Sequence, residues 1–254
     1  MSWSLRRRFV ILAILSVVVF SALSLVVISI VYEVPTCSDG IMNQDERGID
    51  CGGVCVNICP FDAKPPSVLF ARPVSTVPGR VDVIALVENP NAEAYAPRAS
   101  YTIELFDSNQ ILIQSVSGVV ALPPRGTIPI FIPNIISGER MVARAFLLFD
   151  TPVLYERRPD SLAKLPEVNR FVLDLDRPEP RITAEVENTE TRDITNATFI
   201  VTLFNDQGTA FAAGRAIVGR IRAQETATAV FTWPTRLPEA PARVEIIPVL
   251  PNPS

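Results

Sequence analysis

The stretch Tyr101-Thr-Ile-Glu-Leu-Phe-Asp107 decides the fold of the larger part of this chain, because it occurs twice. It returns 98 residues later as Phe199-Ile-Val-Thr-Leu-Phe-Asn205. In both copies the first, third and fifth residues are apolar, which is the period of a half-buried β-strand, and a turn-forming Asp or Asn closes the stretch. Val87-Glu-Asn89 likewise returns as Val186-Glu-Asn188, at an offset of 99 residues.

Further short strands and turn signals follow in the same order in both copies. Repeat units of about 95 residues built from such strands are typical of immunoglobulin-like β-sandwiches. A period this long indicates duplicated domains rather than a solenoid. We therefore predict a mainly β fold with two tandem immunoglobulin-like β-sandwiches, preceded by one transmembrane α-helix and a small disulfide-rich loop module. Sandwich 1 is predicted at residues 67–152, a connector at 153–166 and sandwich 2 at 167–254.

Residues 9–32 form an uncharged run that is long enough to cross a bilayer as a helix. Arg6, Arg7 and Arg8 precede the run, and acidic residues follow it. The positive-inside rule then places residues 1–8 in the cytoplasm and the bulk of the chain outside it. The alternative is a cleaved signal peptide, but those have a shorter apolar core and a small-residue cleavage site, which this run lacks. We predict a single-pass signal anchor in the cell membrane.

All four cysteines lie within residues 37–59, at Cys37, Cys51, Cys55 and Cys59. On the exported side of a membrane, an even number of clustered cysteines predicts two disulfides, and the sequence leaves three connectivities open. Zinc bound by four thiolates is the alternative that a cytosolic location would favour. The proline-rich residues 60–66 are predicted to be a short, stiff linker to sandwich 1.

Five oxygen-bearing side chains lie between the first two cysteines: Asp39, Asn43, Asp45, Glu46 and Asp50. Calcium takes six to eight oxygen ligands, so this loop is a candidate Ca²⁺ site. Its spacing departs from that of an EF-hand, which places a glycine at position 6 and a bidentate glutamate at position 12. The alternative is a loop rich in Asx-turns, in which the carboxylates bond to the backbone.

The composition excludes several classes of function. The chain contains no histidine, which removes imidazole-based catalysis and histidine-ligated metal sites. Its formal net charge of −4 argues against a nucleic-acid partner. No phosphate-binding glycine loop and no activated nucleophile are recognisable. We therefore expect no catalytic residues, no activity as an enzyme and, apart from the candidate calcium, no cofactor.

Two resemblances to known families add to these predictions. Residues 37–55 resemble a Cys-rich element, C-S-D-G…D-C-G-G-x-C, that is found in exported multidomain proteins. Val87–Asn91, Tyr101–Asp107 and Leu122-Pro-Pro-Arg-Gly126 together resemble the FxLYD-type β-sandwich of bacterial envelopes, and Val87–Asn91 is also similar to the water-stress (WHy) sandwiches. These resemblances imply a structural or interaction module in the cell envelope, without a catalytic centre.

The expected function follows from these parts. The chain is predicted to be a membrane-anchored extracytoplasmic protein whose two sandwiches contact a protein partner in the envelope. The bilayer itself is the other partner, through residues 9–32. The alternative is an envelope protein that binds an apolar small molecule or a glycan in a pocket or groove of a sandwich.

Overall fold

The structure, a computed structural model, describes residues 3–31, 35–77, 79–159 and 164–249. Tyr32, the last residue of the predicted membrane span, lies outside the described residues, as do 160–163 of the predicted connector and the last five residues of predicted sandwich 2. The chain divides into two compact units, residues 1–55 and 56–254, which are described in turn.

The first unit begins with α1 (Trp3–Val31), which contains the predicted apolar run. The helix starts ahead of that run because arginine is a good helix former, and the Arg7 guanidinium lies 5.5 Å from the centre of the Trp3 ring. The hydroxyls of Ser16, Ser21 and Ser29 each donate a hydrogen bond to a carbonyl oxygen one turn earlier, at 2.8–3.0 Å. These three hydroxyls are thereby satisfied within the helix, which is how serine is accommodated in an apolar environment.

The second unit is built from strands. Their bounds are β1 (Asn57–Ile58), β2 (Ser67–Val77), β3 (Arg80–Asn89), β4 (Ala94–Phe106), β5 (Leu112–Leu122), β6 (Gly126–Ile136), β7 (Arg144–Phe149), β8 (Tyr155–Arg157), β9 (Glu167–Asp174), β10 (Arg181–Glu187), β11 (Ile194–Phe204), β12 (Ala210–Ile221), β13 (Thr226–Thr232) and β14 (Arg243–Val249). All the strand pairs are antiparallel. The predicted mainly β fold, with an N-terminal apolar helix and a disulfide module, is confirmed.

Sandwich 1 consists of two sheets that share a core. One sheet has the order β2-β3-β6; in the other, β4 pairs with β5 on one edge and with β7 and β8 on the opposite edge. Alternate residues of β3 and β4 point inward, so that Val83, Val87, Ile103 and Leu105 are fully buried between the sheets. β4 thus buries its side chains with the period of two read from the sequence, whereas β3 buries every residue from Val81 to Ala85, because Ile84 on its outer face packs against sandwich 2.

Sandwich 2 repeats this order of pairing. Its sheets are β9-β10-β13 and β12-β11-β14, so that β3 corresponds to β10, β4 to β11 and β7 to β14. Its core contains Ile182, Phe199, Leu203 and Phe231, with exposed fractions of 0–1%. Trp233 completes the core and donates a hydrogen bond from its indole nitrogen to the carbonyl oxygen of Ala213 at 3.0 Å.

An apolar cluster joins the two sandwiches, which the sequence analysis did not predict. Ile84 of sandwich 1 packs in one cluster with Ile200, Phe204 and Ala213 of sandwich 2. The rings of Phe70 and Phe204 meet edge to face, with centroids 6.2 Å apart. The two sandwiches therefore bury apolar surface against each other, which favours a fixed relation between them.

The predicted linker and connector also make specific contacts with sandwich 1. Lys64 exchanges two hydrogen bonds with the side chain of Asn91, each 2.8 Å long. Within the predicted connector, β8 pairs with the start of β4 on one side and with β1 on the other. The linker is therefore held to sandwich 1 by the side chain of Asn91. The connector is held by strand pairing, in which its backbone groups complete their hydrogen bonds.

Candidate functional site

The Cys-rich segment is held by disulfides, as predicted. Cys37 is bonded to Cys55, and both Cys51 and Cys59 are also disulfide-bonded. The segment exposes its larger apolar side chains, among them Ile41, Met42 and Ile49. Because it has so little apolar core of its own, the covalent bonds must supply much of its stability.

A glycine pair fixes the approach of the chain to Cys55. Gly52 and Gly53 both have positive φ, at 74° and 56°. A Cβ atom at position 53 would lie 1.6 Å from the carbonyl oxygen of Asp45, so no other residue fits there without moving the backbone. The Gly-Gly of the resemblance therefore has a structural reason here.

Glu46 is the buried carboxylate of this segment. Its side chain is 7% exposed, one oxygen accepts a hydrogen bond from the Asn43 amide nitrogen at 3.3 Å, and the other lies 3.1 Å from the Cys55 sulfur. Cys37, Glu46 and Cys55 bring three potential ligand atoms together. The two sulfurs are bonded to each other, and a disulfide is not the thiolate that metal binding requires. This cluster is therefore a structural contact.

The candidate calcium ligands take part in hydrogen bonds within the loop. Asp39 accepts hydrogen bonds at 2.9 Å from the amides of Thr36 and Ile41 and from the side chain of Asn43. The Thr36 amide, then Asn43 and then the Ile41 amide lower the pKa of Asp39 below its ordinary value. These bonds form the Asx-turn of the alternative interpretation.

Asp50 and Asp45 complete the set of predicted ligands. Both carboxylate oxygens of Asp50 accept from the amide of Gly40, at 3.0 and 3.1 Å. Asp45 is exposed. Calcium binding by this loop stays a prediction, since the same oxygens could turn toward a cation. A chelator would then lower the melting temperature of the non-reduced protein.

A buried asparagine organises one end of sandwich 1. Asn89, at the end of β3, is fully buried, and its side-chain nitrogen donates to the carbonyl oxygens of Ala94 and Pro123, both at 2.8 Å. Its side-chain oxygen accepts from the backbone amide and the side-chain nitrogen of Asn91. One side chain thus joins the loop between β3 and β4 to the bend between β5 and β6.

Asn188 joins two loops of sandwich 2 in the same way. It is also fully buried, and its side-chain nitrogen donates to the carbonyl oxygens of Arg192, Ile221 and Arg222 at 2.8–3.2 Å. Its side-chain oxygen accepts from the amide of Glu190 at 3.0 Å. Neither asparagine has a positive φ, so left-handed geometry is not the reason for asparagine at these positions. Their role is to bridge loops, which the recurring Val-Glu-Asn could have signalled.

The turns that follow β4 and β11 contain equivalent hydrogen bonds. The side-chain oxygen of Asp107 accepts from the amides of Asn109 and Ile111, at 2.9 Å each. The side-chain oxygen of Asn205 accepts from Gln207 and Thr209 in the same way, at 3.2 and 2.9 Å. Asp and Asn are interchangeable here because both offer an acceptor oxygen at the same distance from the backbone.

Three ionisable side chains are buried among the described residues of sandwich 1: Asp82, Tyr101 and Tyr155. Asp82 is 7% exposed and accepts from the amide of Asn134 at 2.7 Å, and its burial raises its pKa above the ordinary value. Burial also raises the pKa of Tyr155 to about 12. Burial therefore keeps the Tyr155 phenol protonated at neutral pH, whereas the Asp82 side chain is held by its hydrogen bond from the Asn134 amide.

Open grooves mark the surface of the second unit. One of about 480 Å³ runs between β2 and β7 and is lined by Phe70, Arg72, Arg144 and Leu147 among others. Another of about 260 Å³ lies between the sandwiches and includes Arg215. Both are open to solvent, unlike the enclosed apolar cavities that bury most of a small ligand.

The residues predicted to set the membrane topology lie in the first turns of α1. Arg6, Arg7 and Arg8 are exposed, and so are the apolar side chains that follow them on the helix. One helical segment, Arg6–Ser29, has the length and composition of a membrane span among the described residues. A helix this apolar on all sides is consistent with membrane association, as an anchor or as a signal sequence.

Comparisons with known proteins add little to these observations. No protein-family model matches the sequence, and no curated protein does. Among solved structures, a transglutaminase from red sea bream is similar at 14% identity and a TM-score of 0.25, over 73% of this chain. The match spans 29% of the transglutaminase, and a likeness at this level carries no argument about activity.

Proposed function

We propose that this chain is a membrane-anchored extracytoplasmic protein that presents two immunoglobulin-like β-sandwiches as a non-catalytic structural or interaction module. The observation that carries the proposal is the order of its parts. An exposed helix with a long uncharged, apolar run is followed within a few residues by a module that depends on disulfides, and then by two sandwiches that contain no cysteine. Apolar exposure calls for a bilayer, and disulfides persist in oxidising compartments.

The arginines before the apolar run support one orientation. Three positive charges precede the apolar run, and the first charges after it are acidic. An N-terminus in the cytoplasm places the cysteines on the oxidising side, so the charge rule and the disulfides point the same way. The length of the apolar run favours an uncleaved anchor over a signal peptide.

The buried polar groups support a non-catalytic role. The two buried carboxylates of the described residues, Glu46 and Asp82, each accept a hydrogen bond from a backbone amide. The fully buried asparagines, Asn89 and Asn188, hold loops. These polar side chains are therefore engaged in maintaining the fold, and a binding surface is the function that the exterior supports best. The loop-bridging asparagines also support kinship with the FxLYD-type and WHy-type envelope sandwiches, whose V-x-N motif they match.

The test is a topology experiment on the full chain with a C-terminal epitope tag. We expect the protein to stay in the membrane pellet after alkaline extraction. Protease added to cells whose outer envelope has been opened, with the cell membrane intact, should digest the sandwiches. The matched variants are Arg6→Glu/Arg7→Glu/Arg8→Glu, which should reduce or invert translocation, and Arg6→Lys/Arg7→Lys/Arg8→Lys, which should behave as the parent protein. Sandwiches protected from outside protease, with the tag reachable only after lysis, would contradict the proposal.

A further inference from the structure

Strand β7 (Arg144–Phe149) has a free edge. It pairs with β4 on one side, and no strand pairs with its other side among the described residues. The corresponding place beside β8 is filled by β1, which ends at Ile58 before the chain reaches Pro60. The edge of β7 faces the open groove between β2 and β7, where no strand is hydrogen-bonded to it among the described residues, and an unpaired strand edge is a template for another strand.

The outer face of this edge strand is apolar. Phe146 is 49% exposed and Leu148 is 54% exposed, while Ala145 and Leu147 on the opposite face belong to the core. Phe106 extends the outer surface, because its ring meets that of Phe146 edge to face at 5.7 Å between centroids. Soluble proteins protect free strand edges with charges or proline, so an apolar, exposed edge marks an association site.

The stretch Arg144-Ala-Phe-Leu-Leu-Phe-Asp150 is complementary to itself when two copies run antiparallel. With a two-fold axis at Leu147, Arg144 lies opposite Asp150 of the second copy, and Phe146 lies opposite Leu148 of the second copy. These four residues alternate along the strand with the core-facing ones, so each pair shares the outer face. The symmetry supplies every pair twice.

The two charged ends of the stretch are available for such pairing. The side chains of Arg144 and Asp150 are exposed, and neither has an ion-pair partner among the described residues. Opposite charges directly across a strand pair stabilise it, and like charges destabilise it. The register set by these charges is also the register that pairs the two exposed apolar residues.

We propose that β7 pairs with β7 of a second copy of this chain, antiparallel and centred on Leu147, to form a symmetric dimer with a continuous sheet. Sandwich 2 lacks this capacity, because the corresponding strand β14 carries Glu245 and also Pro248, which has no amide hydrogen. A single shared strand edge is a small interface, so the dimer is weak in solution. The proposal does not depend on membrane anchoring, although confinement to a membrane would raise the effective concentration.

The test is a charge-reversal cycle on the full chain in detergent micelles, with self-association measured by sedimentation equilibrium. Arg144→Asp and Asp150→Arg each create two like-charge pairs across the two-fold axis and should raise the dimer dissociation constant about tenfold or more. The double variant Arg144→Asp/Asp150→Arg restores opposite charges and should return the constant to near that of the parent protein. Arg80→Asp, an exposed change of equal charge on β3, is the matched control and should have little effect.

Two further measurements keep the cycle interpretable. Far-UV circular dichroism checks that each variant is folded. A photo-crosslinking amino acid at position 146, in cells, should yield a species of twice the mass of the chain. A parent protein that is monomeric at all concentrations would overturn the proposal, as would a double variant as weak as the single ones. Crosslinking at position 146 to a different protein instead would identify a foreign strand as the occupant and would also overturn it.

Discussion

Sandwich 1 and sandwich 2 have the same order of strand pairing but differ at the edge strands β7 and β14. Both place a buried asparagine at the end of the second strand and an Asp or Asn acceptor in the turn after the central strand. At the edge, β7 exposes Phe146 and Leu148. In β14, Arg243 lies over the ring of Phe204 at 3.8 Å and forms an ion pair with Glu245.

This difference separates what the fold needs from what the surface is free to vary. The loop-bridging asparagines satisfy buried backbone groups, which every copy of the fold must do. An edge strand has no such requirement beyond avoiding unwanted pairing, so its chemistry can diverge. The second copy protects its edge with charge and proline, and the first presents an apolar, self-complementary one.

The largest effect is expected at the bridging asparagines. Asn89→Ala and Asn188→Ala should each cost about 3 kcal/mol, because several buried carbonyl groups lose their donor. Hydrogen exchange in β3 and β4 reports on sandwich 1, and the fluorescence of Trp233 during denaturation reports on sandwich 2. Asn109→Ala, in an exposed turn, is the control and should change stability by less than about 0.5 kcal/mol. A large loss of stability in one sandwich and none in the other would show that the two asparagines do not have the same role.

The next effect contrasts both sandwiches with the disulfide module. Cys37→Ser/Cys55→Ser removes the constraint on a loop with a sequence separation of 18 residues and should cost the module about 3 kcal/mol or slightly less. Hydrogen exchange should rise across residues 36–55 and stay low in β10 and β11. Equal exchange in the module of parent and variant would show that its own contacts suffice without this bond.

A smaller effect is expected in the duplicated turns. Asp107→Ala and Asn205→Ala each remove an acceptor from two backbone amides and should cost about 1 kcal/mol. The controls are supplied by the other copy: Asp107→Asn and Asn205→Asp keep the acceptor and should be nearly neutral. The denaturant midpoint of each of the four variants measures its stability. If Asp107→Asn and Asn205→Asp lower stability as much as the alanine substitutions do, the two turns are not equivalent.

The smallest effect is a pH dependence specific to sandwich 1. Burial raises the pKa of Asp82 above 3.8, so the folded state holds this proton more tightly than the unfolded state does. Stability should therefore fall as the pH rises from about the ordinary value through the raised pKa. Asp82→Asn keeps an acceptor for the Asn134 amide and should lack this decline and melt at a higher temperature at pH 7. If the melting temperatures of the parent protein and of Asp82→Asn change with pH in parallel, the burial of Asp82 is not the cause of the pH dependence.

The sequence predicted what depends on local pattern. Alternation in Tyr101–Asp107 predicted a strand with the burial that the structure shows, and the clustered cysteines predicted disulfides. Serine hydroxyls within α1 bond to its carbonyl groups because the partner is only one turn away. These features need only neighbours in the chain, which a single sequence contains.

What depends on distant contacts was not predictable in the same way. Asn89 bonds to Pro123, and Ile84 meets Ile200 across the two sandwiches, although these partners are far apart in the chain. The disulfide partner of Cys37 was one of three alternatives. In the candidate calcium loop, the carboxylate of Asp50 accepts from the amide of Gly40, 10 residues earlier in the chain, which composition alone does not reveal. Each of these outcomes is set by tertiary packing.

The most direct test of the account is the intact mass and thiol content of the protein purified from the membrane fraction of its own cells. The account predicts a chain that still begins in the N-terminal segment before α1, remains in the membrane, and contains no free thiols until it is reduced. A soluble chain that begins after residue 31, or one with four titratable thiols when isolated, would contradict it.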